Sequence, residues 1–273
     1  MLGAVLQLLT PEKFHMHAKS FLRLAALALL LSTGALAQAP QSSVFEPSIG
    51  QEGKDVVWVP TSQALLEKML DLARVTPADV VMDLGSGDGR TVIEAARRGA
   101  RAVGIEYDAD MVELSKRNAE KAGLAGRATF KKADLFETDF SQATVITMFL
   151  LPAINLKLRP TLLGLKPGTR VVSNTFTMEA WEPDETATLY PDSGCDSWCT
   201  ALLWIVPARV AGSYSLPQGE LVLKQAFQKL SGTLRTGGAT YALDGRVRGD
   251  ELEFRAGGRE YRGRMKGKTL ELR

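Results

Sequence analysis

The stretch Val80-Val81-Met82-Asp83-Leu84-Gly85-Ser86-Gly87-Asp88-Gly89-Arg90 decides the fold. It reads as a buried strand that breaks into a glycine loop, which in turn opens a helix. Three glycines at alternate positions let the backbone turn tightly and approach a ligand without Cβ clashes. The helix that follows directs its free N–H groups at the same spot. A loop of this kind seats a nucleotide-type cofactor. Dinucleotide folds use G-x-G-x-x-G for a pyrophosphate, whereas Gly85, Gly87 and Gly89 give G-x-G-x-G with Asp83 two positions ahead.

Two further acids extend the pattern. Glu106 ends the apolar run Ala102-Val103-Gly104-Ile105, where an acid at the tip of the second strand can accept both ribose hydroxyls. Ala128-Thr129-Phe130-Lys131-Lys132 then leads into Ala133-Asp134-Leu135-Phe136. Any one of these reads equally as an ordinary turn, since glycine and aspartate are common turn formers. Three acidic strand ends in succession do not. The set resembles motif I and its partner acids in the class I S-adenosylmethionine (SAM) methyltransferases, whose cofactor carries an ammonium group in place of a phosphate. The resemblance implies that Asp83, Gly85, Ser86, Gly87 and Gly89 cradle the methionine part of SAM. It further implies that Glu106, followed by Tyr107, holds the ribose, and that Asp134 and Leu135 hold the adenine.

Composition bounds the remaining choices. At 273 residues, 45% hydrophobic and 23% charged, the chain can bury one good core and a small second domain. A formal net charge of +2 is too near neutral for a nucleic-acid footprint. Near the N-terminus, Lys19 and Arg23 precede an apolar run from Leu24 to Leu31, then Ser32-Thr33-Gly34 and Ala35-Leu36-Ala37. This reads as a signal peptide over residues 1–37 with cleavage before Gln38, Met16 offering a second start. The run is shorter than the ~20 residues of a comfortable span, which favours a cleaved signal over a membrane anchor. The expected location is therefore exported, periplasmic or secreted, or anchored through this segment. SAM is made in the cytoplasm, so its supply keeps that compartment open as well.

Cleavage would remove His15 and His17, the only histidines. That excludes Ser-His-Asp and Cys-His catalysis and leaves no ligand set for zinc, so no metal is expected. Cys195 and Cys199 stand four apart in Cys195-Asp196-Ser197-Trp198-Cys199. Two readings stay open for them: a short-loop disulfide suited to an exported protein, or two free thiols with one packed beside Trp198.

Along the chain, residues 38–55 read as a linker, followed by a helix from Ser62 to Arg74. Strands then alternate with helices: Asp79–Asp83, a helix to Arg98, Arg101–Glu106, a helix from Asp110 to Ala122, Ala128–Lys132, Thr144–Phe149, Arg170–Phe176, and Ala201–Val206. The expected class is α/β: a Rossmann-like seven-stranded sheet with helices on both faces, spanning residues 56–211. Residues 212–273 change to short alternating segments between glycine turns. There Gly245–Phe254 recurs as Gly263–Leu272 eighteen residues later, as expected of a small antiparallel β-meander with one face buried and one wet.

A narrower resemblance covers residues 55–206. It rests on Asp55-Val56-Val57-Trp58-Val59-Pro60-Thr61, the glycine loop, Asp139-Phe140-Ser141-Gln142, the Leu151-Pro152 turn and Trp181-Glu182-Pro183-Asp184. These resemble the small seven-strand protein-lysine methyltransferases that act on the ATP synthase c subunit and the adenine nucleotide translocase, with their bacterial relatives. Carried over, Pro60 and Thr61 close over the cofactor, while Leu151, Pro152 and Trp181 line the acceptor channel. Trp181 also reads as core packing. Enzymes acting on base amines typically carry an Asp/Asn-Pro-Pro-aromatic turn after the fourth strand, whereas Phe149-Leu150-Leu151-Pro152 offers no side-chain acceptor. The expected function is methyl transfer from SAM to an amine acceptor, with a protein lysine and proximity to a membrane implied by the resemblance. No catalytic base is assigned: Tyr107, Asp184 and bulk water all remain. The rivals are a non-catalytic exported binding protein on the same scaffold and an NAD-dependent oxidoreductase.

Overall fold

The computed structural model describes residues 45–273, so the expected signal peptide lies outside the described residues. Two seven-stranded sheets make up the described chain. The first contains β1 (Val80–Leu84), β2 (Arg101–Glu106), β3 (Ala128–Lys132), β4 (Val145–Met148), β5 (Arg170–Asn174), β6 (Glu185–Thr188) and β7 (Thr200–Ile205). Its order is β3-β2-β1-β4-β5-β7-β6. β1 to β5 run parallel, and β7 is antiparallel to both β5 and β6. The sheet is therefore mixed, with the apolar run at Ala201–Val206 inserted between β5 and the sheet edge.

Four helices cover it: α1 (Gln63–Leu72), α2 (Arg90–Arg97), α3 (Ala109–Lys121) and α4 (Pro152–Leu162). Three of the four starts carry a local signal. The Ser62 hydroxyl accepts from the Leu65 N–H at 3.3 Å, and the Asp108 carboxylate accepts from the Asp110 and Met111 N–H groups at 2.8 and 3.2 Å. Pro152 occupies the first turn of α4, where no N–H is missed. The elements read from the sequence leave the span between Phe149 and Arg170 unassigned; α4 fills it, with Pro160 inside the helix. Two apolar clusters form, one per face: Leu65, Leu66, Leu70 and Val92 on the α1/α2/α3 side, and Ile146, Leu158, Trp181 and Trp204 on the α4 side.

The second sheet is a strict meander in the order β14 to β8: β8 (Gly212–Leu216), β9 (Gly219–Ala226), β10 (Lys229–Thr236), β11 (Ala239–Arg248), β12 (Glu251–Ala256), β13 (Arg259–Lys266) and β14 (Thr269–Leu272). The repeat is visible in its register, with Gly245 opposite Phe254 and Gly263 opposite Leu272. One face buries Leu221, Leu234, Val247 and Phe254. The other alternates charge across strands, Asp244 opposite Arg255 and Arg255 opposite Glu260.

The two sheets meet away from the carboxyl ends of the parallel strands. The Arg246 guanidinium bonds the buried Asp184 carboxylate at 2.7 Å, and the Gln228 amide donates to the Glu182 carbonyl at 2.6 Å. Phe227 stacks on Trp181 with ring centroids 6.4 Å apart. Gly249, between β11 and β12, lies against Gly168, which precedes β5. The carboxyl ends of β1 to β5 stay open at the opposite end.

Candidate active site

At those carboxyl ends lies a cavity of about 540 Å³, within the size range of cofactor sites. Gly85, Gly87 and Gly89 all hold positive φ (76°, 53° and 83°), the left-handed region that favours glycine. A Cβ on Gly87 would stand 2.6 Å from the Trp58 indole nitrogen. Helix α3 braces the loop from behind: the Ser115 hydroxyl donates to the Gly87 carbonyl at 2.7 Å, and the Asn118 amide donates to the Asp88 carbonyl at 2.9 Å. Gly89 faces that brace, since a Cβ there would strike Phe130 and Ser115. It shapes the loop without lining the cavity.

Asp83 is buried at the end of β1, and the Thr147 hydroxyl donates to it at 2.6 Å. Burial pushes its carboxyl up to about 7; the Thr147 bond opposes the rise, and the nearby Glu106 and Asp88 carboxylates add to it. A buried acid among acids suits a cationic group arriving from outside. Glu106 is held as an acceptor: one oxygen takes the Gly87 N–H at 2.9 Å, the other the Tyr107 and Asp108 N–H groups at 2.8 and 3.0 Å. Asp134 accepts the Phe136 N–H at 2.8 Å and is ion-paired to Lys54, which with that backbone bond holds its carboxyl below the usual range. The Lys54 ammonium also lies 4.5 Å over the Tyr107 ring. Tyr107 therefore stands on the Asp134 side of the cavity.

The segment read as a linker up to residue 55 does more than connect. Gln51 to Thr61 lines the cavity as a strap, its two limbs joined by the Trp58 N–H to the Gln51 carbonyl at 2.8 Å. Arg90 forks onto Asp88 and donates to the Thr61 carbonyl at 3.1 Å, tying strap to loop. Pro60, Thr61, Asp83, Gly85, Ser86, Gly87, Glu106, Tyr107, Asp134, Leu135 and Leu151 all line this one cavity.

Besides Gly89, three expected positions fall elsewhere. Trp181 is 0% exposed, packed between Trp204 and Phe227, with its carbonyl accepting from the Trp204 indole at 2.7 Å. It is core and forms no channel wall. Pro152 is exposed on the first turn of α4 and does not line the cavity. The Asp184 side chain is fully buried, paired with Arg246 and accepting the Ile205 N–H at 2.8 Å, so it is no base. On the side of β4 and β5 the wall is aromatic: Phe149 after β4, Phe176 after β5 and Trp198 before β7. Cys195 and Cys199 form a disulfide beside Trp198.

SAM fits these residues. Left-handed glycines bring backbone to the cavity wall, Asp83 lies buried among other acids, and the buried Ser86 hydroxyl has no hydrogen-bond partner. The model for the ANTKMT methyltransferase domain matches residues 83–185. A protein-lysine N-methyltransferase of Saccharolobus islandicus (strain REY15A) is 46% identical over 133 residues, which cover 48% of this chain and 83% of that relative. The chain belongs to the class I SAM-dependent methyltransferases. The mouse (Mus musculus) lysine N-methyltransferase of the ATP synthase c subunit is 36% identical over 130 residues, 47% of this chain and 52% of the relative. The chain thus spans about half the length of that mouse relative. Among solved structures, an RNA methyltransferase from Salinibacter ruber in complex with S-adenosylhomocysteine is 49% identical, with a TM-score of 0.52 over 56% of this chain and 96% of that one. SAM is accordingly the cofactor. Neither an NAD-dependent oxidoreductase nor a non-catalytic exported binding protein draws support from these relatives.

Proposed function

We propose that this methyltransferase acts on the side-chain amine of lysine in a protein. The observation that carries the reading is the 46% identity to a protein-lysine methyltransferase over 133 residues, joined to the match of the ANTKMT methyltransferase domain to residues 83–185, which hold much of the cavity wall. Bound SAM supplies a methyl carbon on a sulfonium, so the amine lone pair forms the N–C bond as the C–S pair returns to sulfur and one proton leaves. The residues of the chain position and desolvate. Asp83 and the glycine loop would hold the methionine part, Glu106 the ribose, and Asp134 with Leu135 the adenine. Leu151 and the aromatic wall would exclude water from the attacking amine, which gives its proton to solvent before it is enclosed.

The Salinibacter ruber relative, described as an RNA methyltransferase, supports a second acceptor class. Against it stand the net charge of +2 and a cavity rim of Val57, Tyr107, Leu151 and Trp198, all exposed. Incubating the purified chain with methyl-tritiated SAM and separate pools of total protein and total RNA decides the matter. Label in protein, with methyl-lysine located by mass spectrometry, is expected; label confined to RNA overturns the reading. Export remains part of the proposal. The Cys195–Cys199 disulfide agrees with an oxidising compartment, and among the described residues no helix is long and apolar enough to cross a membrane. N-terminal sequencing of the mature protein tests it, with Gln38 as the expected first residue.

A further inference from the structure

The acceptor end of the cavity is walled by three aromatic rings from three separate connections: Phe149 after β4, Phe176 after β5 and Trp198 before β7. Phe149 and Phe176 stack with centroids 5.9 Å apart, and Trp198 stands 5.9 Å from Phe149 at a 60° tilt. Trp198 is 43% exposed, so a large indole is left half in water at the mouth. Its φ of 51° lies in the left-handed region, which a bulky residue keeps only where its surroundings hold it. The holding device is adjacent. Trp198 lies within the five-residue loop closed by the Cys195–Cys199 disulfide, and Cys195 is itself buried in the core.

We propose that Trp198, pinned by this disulfide, completes with Phe149 and Phe176 an aromatic channel that sets the affinity for the acceptor amine. The inference rests on the lysine reading and deepens it. The methylene stem of a lysine packs on ring faces, and burial between them favours the neutral amine, the form that carries the lone pair. Once methylated and charged again, the same nitrogen is attracted by the ring faces. Trp198 stands against Phe149 after β4, on the other side of β1 from the β2 and β3 ends that present Glu106 and Asp134, so it is expected to bear on the acceptor and leave SAM affinity alone. A dithiol such as dithiothreitol reduces the disulfide to two thiols while closing its own disulfide ring. The loop is then released, and the indole loses its fixed position.

The test is steady-state methylation of poly-L-lysine at saturating SAM, with S-adenosylhomocysteine affinity measured by calorimetry. Trp198→Ala is expected to raise the acceptor KM about tenfold with kcat within about threefold, a change of about 1.4 kcal/mol. S-adenosylhomocysteine affinity stays within about twofold, and Trp198→Phe recovers most of the loss. Dithiothreitol-treated wild type and the Cys195→Ser/Cys199→Ser variant shift KM the same way. A wild-type KM in Trp198→Ala overturns the channel, as does a matching loss of S-adenosylhomocysteine affinity, which would make Trp198 part of the cofactor cover. A wild type that labels RNA and never poly-L-lysine overturns the lysine reading and the channel with it, a result distinct from an unchanged KM.

Discussion

The two sheets have seven strands each, yet the cavity described above is built on one of them. The difference is topological. In the first, β1 sits between β2 and β4, and the chain leaves β1 toward one side and later returns on the other. The connections after β1 and β4 therefore diverge and open a crevice at the carboxyl ends, where Asp83, Glu106 and Asp134 arrive from three strands. In the meander every strand pairs with its sequence neighbours, so no two connections part and no crevice forms. Its contacts are local, and its polar side chains pair across the wet face. A binding site here follows from strand order more than from composition.

The sharpest way to break the comparison is to disable the site while the meander stays intact. Glu106→Ala removes two charge-assisted bonds of about 1.5–3 kcal/mol each, so SAM binding by calorimetry is expected to weaken about 10²- to 10⁴-fold. Asp83→Ala belongs with it. Glu106→Gln keeps an acceptor for the Gly87 N–H and should lose less; an equal loss would place the effect in the charged ribose contact and not in the loop. Next comes the join between the sheets. Trp181→Ala empties a fully buried site facing both Trp204 and Phe227 and is expected to cost about 3–5 kcal/mol in denaturant unfolding. If the sheets fold as one unit, a single transition moves; two transitions would show them to be separable.

The meander has its own weak point. Gly232 holds a φ of 148° with the Val222 backbone where a Cβ would go, so Gly232→Ala should cost about 1–3 kcal/mol or more, with SAM affinity unchanged. The pH response expected of SAM binding belongs to the first sheet. With its carboxyl at about 7, above the ordinary range, the folded chain holds a proton on Asp83 that the unfolded chain has already released. Its contribution to stability is thus present at low pH and is lost as pH rises from about 4 to about 7. SAM affinity runs the other way, rising up to about tenfold per pH unit until about 7 as the carboxylate forms, then levelling. Calorimetry from about pH 5.5 to about 8.5 checks this, and Asp83→Asn should be flat. The smallest effect is expected from Lys54→Ala, an exposed pairing with Asp134: a change in SAM affinity of no more than about fivefold, screened by salt.

What could be read from the sequence follows the same division. The glycine loop and the acids ending β1 and β2, with Asp134 just past β3, were legible because local residue type and strand position determine them together. Lys54 was not, because a polar, glycine-bearing stretch reads as linker until the fold lays it over the cavity. Helix α4 was hidden by Pro160, and β6 by its four residues of half-exposed Glu185–Thr188. Of the two readings of Trp181, core packing holds, while Trp198, given no place in the site from the sequence, lines the cavity. Nothing local distinguishes Trp181 beside a proline from Trp198 between two cysteines; only long-range packing sends one to the core and the other to the mouth.

The four tryptophans divide the molecule optically. Trp181 and Trp204 are wholly buried and emit a constant background. Trp58 lies against the Gly87 loop and Trp198 against Phe149, so the two remaining emitters line different walls of one cavity. Titrating S-adenosylhomocysteine should change the light from Trp58, and adding an amine acceptor should change the light from Trp198, with Trp58→Phe and Trp198→Phe silencing each in turn. The chain is thus built with a native two-channel fluorescence reporter, able to time cofactor and acceptor arrival without any attached dye.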